Sequence, residues 1–378
     1  MLERFKKMRS RLNAGMLSVK FGGFASPGLP SLLVDKAKIL ERAGFDSVWV
    51  EDEIHVPYSP QDTVVPELFV SLAVVAANTS NLTVGSAVID AGIRYPVKTA
   101  HSIATVDCIA GGRMIAGIGG GEAINHEPYG IPTDHVFQKM REAVICIKKL
   151  LEADSGTPAN FSGTFFSLKD AYLKIKSPRK PHTPLFISAF GPKALQLTGE
   201  IGDGWIVFAH TPQTYENVLN EFVKPAAHKA GRDLEDIEPM LVVPVALSKD
   251  RNLAYKAAAS QAKDWIVLSP DNMMMIAPTA KHELGRQPYT VRAGEQWVRR
   301  LSSLAHQIPD EAAVKTALWG DTDQIIKQIE DFRKSGCRHL LLYPVPPESF
   351  FRGVVINFEE WAEVMRIFGE KIIPHFKT

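Results

Sequence analysis

The sequence predicts an α/β fold, a (β/α)8 barrel, from three observations. Short β-branched runs alternate with stretches of helical period from Met16 onward, and eight such runs occur. A helix-to-strand joint also repeats. Leu32–Ala43 passes through Gly44-Phe45 into Ser47–Glu51, and Ile325–Lys334 passes through Ser335-Gly336 into His339–Tyr343, with glycine ending each helix in the left-handed conformation. The expected strands, in order, are Leu17–Phe24, Ser47–Glu51, Leu82–Ile89, Arg113–Ile118, Leu185–Ser188, Trp205–Phe208, Met240–Leu247 and His339–Tyr343.

Two stretches interrupt the alternation. Asn160–Ile175 reads as an inserted hairpin turning at Ser162-Gly163. Ser269–Trp319, with Met273-Met274-Met275, several prolines and a helical piece around Glu295–His306, is expected to hold no strand and to serve as a lid or oligomer contact. Residues 1–15 carry five basic side chains against Glu3, with Leu2, Phe5, Met8 and Leu12 at helical spacing, and read as a basic N-terminal extension. The organisation expected is a single barrel domain over 16–378, with the hairpin near 160–175 and the lid segment near 269–320.

At 378 residues the chain is too long for a small module and suits a large barrel. Hydrophobic residues at 45% and charged residues at 22% exclude extended disorder and coiled coil. A net charge of +1 calls for neither nucleic acid nor an anionic membrane, so the expected partner is a small molecule. Cys108, Cys146 and Cys337 are scattered and odd in number, which speaks against a disulfide framework and for a reducing cytoplasm. No apolar run approaches the length of a membrane span.

In such a barrel the chemistry sits just beyond the carboxyl ends of the strands. There the chain is acidic: Glu51, Asp52 and Glu53 with His55 after strand two, Asp90 after strand three, and Glu122, Asn125 and His126 after strand four. Carboxyls sharing a cleft raise one another's pKa and create a proton donor at neutral pH; a single acid there would as readily cap a helix. Gly117-Ile118-Gly119-Gly120-Gly121-Glu122 has glutamate where a dinucleotide fingerprint has its third glycine, so a Rossmann site is not supported, and the glycines instead allow close approach of a flat ligand. Ser188-Ala189-Phe190-Gly191-Pro192-Lys193 runs from strand into helix, where free amides and the helix dipole favour a phosphate. No zinc motif, nucleophile elbow or Walker loop is present, and no metal is expected.

The motifs resemble the bacterial-luciferase-like superfamily of TIM barrels, in particular its coenzyme F420 branch, which includes F420-dependent dehydrogenases and methylenetetrahydromethanopterin reductase. They are Gly44-Phe45-Asp46-Ser47-Val48-Trp49-Val50-Glu51-Asp52, Gly85–Asp90 followed by Arg94-Tyr95-Pro96, Gly112-Arg113 leading to Gly119-Gly120-Gly121-Glu122-Ala123-Ile124-Asn125, and Ser188–Pro192 with Gly202-Asp203-Gly204-Trp205. The most specific is Gly-Glu-Ala-Ile-Asn. The resemblance implies an F420-dependent oxidoreductase moving hydride between the deazaflavin and an alcohol, a sugar phosphate or a pterin-bound one-carbon unit, commonly as a homodimer. It implies a non-prolyl cis peptide at Ala87-Val88 behind the ring, with Glu122, Glu53 and His55 as catalytic candidates. Asp52, Ala87, Val88, Asp90, Gly119, Gly120, Gly121, Asn125, Ser188, Ala189, Phe190, Gly191 and Pro192 would bind cofactor. Relatives commonly read Asp-His after strand two; here Asp52-Glu53 stands, with histidine only at His55. An FMN-dependent monooxygenase and a flavin-binding barrel without turnover are the competing readings.

Overall fold

The computed structural model describes residues 18–55, 63–276, 295–347 and 357–377. The expected extension 1–15 and part of the lid segment, 277–294, lie outside them. Eight parallel strands close a ring in chain order: β1 (Lys20–Phe24), β2 (Ser47–Val50), β3 (Thr83–Asp90), β4 (Met114–Gly119), β7 (Leu185–Ser188), β8 (Gly204–Phe208), β9 (Glu238–Leu247) and β11 (His339–Pro344). The ring closes where Lys20 of β1 pairs with His339 of β11. The chain is therefore a (β/α)8 barrel, as its alternation requires. Among the surrounding helices are α1 (Leu33–Arg42), α2 (Leu68–Ala77), α3 (Pro96–Ile109), α4 (Val136–Glu152), α5 (Pro192–Ile201), α6 (Arg251–Ile266), α7 (Pro270–Ile276), α8 (Glu295–Ala305), α9 (Thr322–Lys334) and α10 (Phe358–Ile367). Gly44 and Gly336 sit at the two joints with φ +78° and +94°, the left-handed values that a side chain disfavours.

One expectation fails. Leu318–Gly320, at the end of the stretch expected to hold no strand, forms β10 and pairs parallel with Val245–Leu247 of β9. Strand β9 runs ten residues, and its far end leaves a free edge outside the ring. Three residues show no period to read, and Gln328 of α9 completes them by bonding both the N–H and the carbonyl of Trp319. The hairpin strands β5 (Ala159–Ser162) and β6 (Ser167–Ala171) pair antiparallel. Their turn is longer than Ser162-Gly163: residues 163–166 make it, and the Glu142 carboxylate of α4 accepts from the amides of Thr164, Phe165 and Phe166.

The barrel interior alternates large and small side chains. Trp49 and Phe186 fill it because Gly85 and Gly204 face them: a Cβ at Gly85 would lie 2.2 Å from Trp49 Cε3, and one at Gly204 2.4 Å from Phe186. At the amino ends of the strands Ser47 Oγ stands 2.8 Å from His339 Nε2, His339 Nδ1 stands 2.9 Å from Glu238, and Lys20 donates to Glu238 at 2.6 Å. This serine–histidine–acid chain is a clamp, not a nucleophile. Ser47 is fully buried, its Oγ already accepts from Trp49 Nε1 at 2.7 Å, and the four residues tie β1, β2, β9 and β11 together.

Candidate active site

A cavity of about 730 Å³ opens at the carboxyl ends of the strands, where the sequence places its chemistry. One wall is β3. Its register with β4 shifts between Ser86 and Ile89, and the Ala87-Val88 peptide within that bulge is cis. The adjoining part of that wall, on β4, is backbone. A Cβ at Gly119 would stand 2.7 Å from Val88 Cγ2, and Gly121, at φ +78°, has room for no side chain because Asp90 Oδ1 lies 2.1 Å from where its Cβ would be. The bulge and residues 119–121 thus form one continuous face of the cavity. Its floor is aromatic: Phe24, Tyr343, Trp265, Phe208 and Phe190 contact one another edge to face in sequence, with centroids 4.7–6.0 Å apart.

The rim acids divide into a frame and a working set. Asp52 lines the cavity but is held by Arg94, whose Nε and Nη2 each donate to it at 2.6 Å, and it accepts from the Asp90 amide at 3.0 Å. Arg94 also reaches Glu67. Asp90 accepts from the amides of Gly92 and Ile93 and stands 2.7 Å from His126 Nε2. Both fix the ends of β2 and β3. Asn125 does the same for the next loop: Oδ1 accepts from the amides of Ile54 and His55, and Nδ2 donates to Glu53.

Three expected site residues do not line the cavity. Asn125 lies behind it, its amide consumed by the 53–55 loop. His55 is exposed and paired with the Tyr129 hydroxyl at 3.0 Å. Ala189 is buried, with its carbonyl accepting from Trp205 Nε1. The remaining expected residues, Glu53, Glu122, Ala87, Val88, Gly119, Gly120, Ser188, Phe190, Gly191 and Pro192 with the two aspartates and Gly121, all line it.

Glu122 precedes the short helix Ala123–His126 but makes no capping bond to it; Oε2 is buried with no partner. Burial, then the Asp90 charge, pushes its carboxyl up to about 7 against the opposing pull of His126. Burial, followed by the Glu122 and Glu51 charges, raises Glu53 well above the ordinary range. Glu51, expected among the rim acids but given no role of its own, also lines the cavity. The signal was available: side chains alternate along β2, so Glu51 shares the inward face of Trp49.

At the far end, α5 begins at Gly191 with Pro192 in its first turn and no side-chain cap, leaving its amides toward the cavity. Asp271 of α7 approaches that end, its Oδ2 3.4 Å from where a Gly191 Cβ would be. Sequence reading missed this acid, and with it Phe24, Trp265 and Tyr343, because each reaches the cavity from another part of the chain.

The chain is similar to several known proteins. The chain is 27% identical over 347 residues to the 5,10-methylenetetrahydromethanopterin reductase of Archaeoglobus fulgidus, covering 90% of this chain and 94% of that one. It is 28% identical over 369 residues to the F420-dependent glucose-6-phosphate dehydrogenase of Beutenbergia cavernae, covering 96% and 98%. A solved F420-dependent secondary alcohol dehydrogenase, in complex with an F420-acetone adduct, superposes with a TM-score of 0.74 at 25% identity, covering 96% of this chain and all of that one. The family model described as luciferase-like monooxygenase matches residues 17–339, and with the barrel, the β3 bulge and the glycine wall in place, the chain belongs to that luciferase-like family.

Proposed function

We propose that this chain is an F420-dependent oxidoreductase that moves a hydride between the deazaflavin and a small organic substrate. The observation that carries this reading is the cavity face made by the Ala87-Val88 bulge and the adjoining 119–121 backbone, with Glu122, whose buried Oε2 has no partner, lining the same cavity. The residues fit the group: glycine backbone lets a ring approach closely, and the uncapped start of α5 suits the phosphate of its tail. A bound deazaflavin supplies or accepts the hydride.

The chain's own residues supply orientation, dryness and a proton. Val88 and residues 119–121 would lie against a bound ring. The aromatic floor excludes water, which strengthens every charge interaction above it. Glu122 holds a proton at its carboxyl near neutral pH and exchanges it with the reacting group, with Glu53 beside it as a second carboxyl. Asp52, Asp90 and Asn125 hold the loops that carry these acids; His55 stands exposed against the Tyr129 hydroxyl. Separate titrations with F420 and FMN, read by visible absorbance, test the reading: F420 should bind with displaced absorbance, and tight binding of FMN alone would replace it with the FMN-dependent monooxygenase.

The working organisation is one barrel domain in which the start of the expected lid segment adjoins the cavity, Ser269 and Asp271 lining it. A cytoplasmic location is the matching proposal, and among the described residues no helix is long and apolar enough to cross a membrane. We read α2 as a homodimer contact, since Val70 and Val74 lie exposed on a helix that is apolar at every position but Ser71.

A further inference from the structure

We propose that Glu51 is a substrate-orienting hydrogen-bond donor of this site, one that selects an uncharged oxygen or nitrogen acceptor on the reacting group. The inference rests on the oxidoreductase reading and deepens it by naming the substrate chemistry.

Glu51 follows the last residue of β2 and continues the inward face of Trp49, so it enters the barrel interior at the level of the cavity floor. Its backbone is fixed: the Glu51 amide donates to Ser26 Oγ at 3.0 Å, and the Ala25 amide donates to the Trp49 carbonyl. Its side chain is not. Oε2 is buried with no hydrogen-bond partner among the described residues. The floor around it is built from Phe24, Tyr343, Phe208 and Trp265, and an apolar side chain would pack there at no electrostatic cost. A carboxyl kept bare in such a place calls for a ligand to complete it.

The surrounding charges decide its form. Among the described residues the cation acting on it is Lys36, whose ammonium donates to the Pro27 carbonyl at 2.8 Å. Glu53 and Tyr343 face it from the other side, and each feels its charge. Burial outweighs Lys36 and brings the carboxyl up to about 7, so near neutral pH much of it is an acid with an O–H to give. A neutral carboxylic acid donates to a carbonyl or imine acceptor; once ionised it repels such an acceptor and anionic substrates alike. With Glu53 and Glu122 also in the wall, the floor selects a neutral polar group flanked by apolar atoms.

Dicyclohexylcarbodiimide, an apolar reagent that adds to protonated carboxyls, tests this on the full chain without cofactor. Peptide mapping of the wild-type protein should find the adduct on Glu51, its yield falling as pH rises through about 7. Cyclohexanone, a neutral acceptor, should slow that labelling about tenfold at saturation, and inorganic phosphate should not. Glu51→Gln should lose the adduct while Glu53→Gln keeps it. Labelling confined to Glu53 and Glu122, or labelling of Glu51 that cyclohexanone leaves unchanged, overturns the proposal. Absence of F420 binding to the untreated protein would instead overturn the oxidoreductase reading, and the labelling result is obtained independently of it.

Discussion

Individual carboxyls in this site differ because their partners differ, although all stand on one rim. Asp52 has a bidentate guanidinium and is spent on it; Glu122 has an orphaned oxygen. Removing the Glu122 proton while keeping its shape should expose its role. Glu122→Gln is expected to lower turnover by about 10²–10⁴-fold with deazaflavin affinity nearly intact, measured by steady-state rates beside an absorbance titration. The pH dependence should follow the sign of the shift. With the carboxyl raised to about 7, the reductive direction needs the protonated form and should fall as pH rises through that value. The oxidative direction should rise across the same window. The oxidative rise should be lost in Glu122→Gln, while a fall set by Glu51 remains, and an unchanged oxidative profile in the variant would remove Glu122 from the proton step. The neighbouring residues Glu53, Asn125 and Gly121 were all visible in the sequence as a cluster, yet their division into proton carriers and loop anchors was not. That division depends on which amide or guanidinium arrives within about 3 Å, and for Asp52 and Glu53 those come from residues 38 to 72 positions away.

Elements act here through the surfaces they present. The β3 bulge and the glycines of β4 act together because residues 119–121 add no side chain to the cavity face beside Val88. Gly119→Val should crowd that face. Gly119 is not in a left-handed conformation, so the variant should fold, but its added atoms meet Val88 and should weaken F420 binding by at least about tenfold, read in the same titration. Wild-type affinity in Gly119→Val would mean that the ring lies elsewhere. Asn125 does a similar service for the loop after β2. Asn125→Ala strands the amides of Ile54 and His55 and frees Glu53, so a loss of about 1–3 kcal/mol is expected in chemical denaturation. The expected strands were legible because alternation and β-branching are local properties. Strand β10 was not, since three residues become a strand only when the projecting end of β9 offers them an edge.

The whole molecule depends on closing the ring, and the clamp at its amino end has a measurable signature. Burial pushes the Glu238 carboxyl up, but the hydrogen bond and charge of His339, aided by Lys20, outweigh it and bring it to about 2. A depressed carboxyl contributes stability that is present above its unfolded pKa and is lost as pH falls from there toward about 2. Glu238→Gln should therefore cost about 2 kcal/mol at neutral pH and should flatten the acid limb of a stability-against-pH curve; an unchanged acid limb would show that the clamp adds nothing. Assembly is checked by sedimentation, where Val70→Glu with Val74→Glu on α2 should convert a dimer to monomer without loss of secondary structure. The sequence by itself determined the βα order, the strand positions, the glycines at joints and wall, and the acidic character of the rim, because each is written in neighbouring residues. Only the tertiary structure decided which acids remain bare, that Glu51 turns into the aromatic floor, that Asp271 meets the start of α5, and that His55 stands outside. Burial and partnership are set when a closed barrel brings distant strand ends to one place, and no local pattern records which side chains will already be taken when they meet.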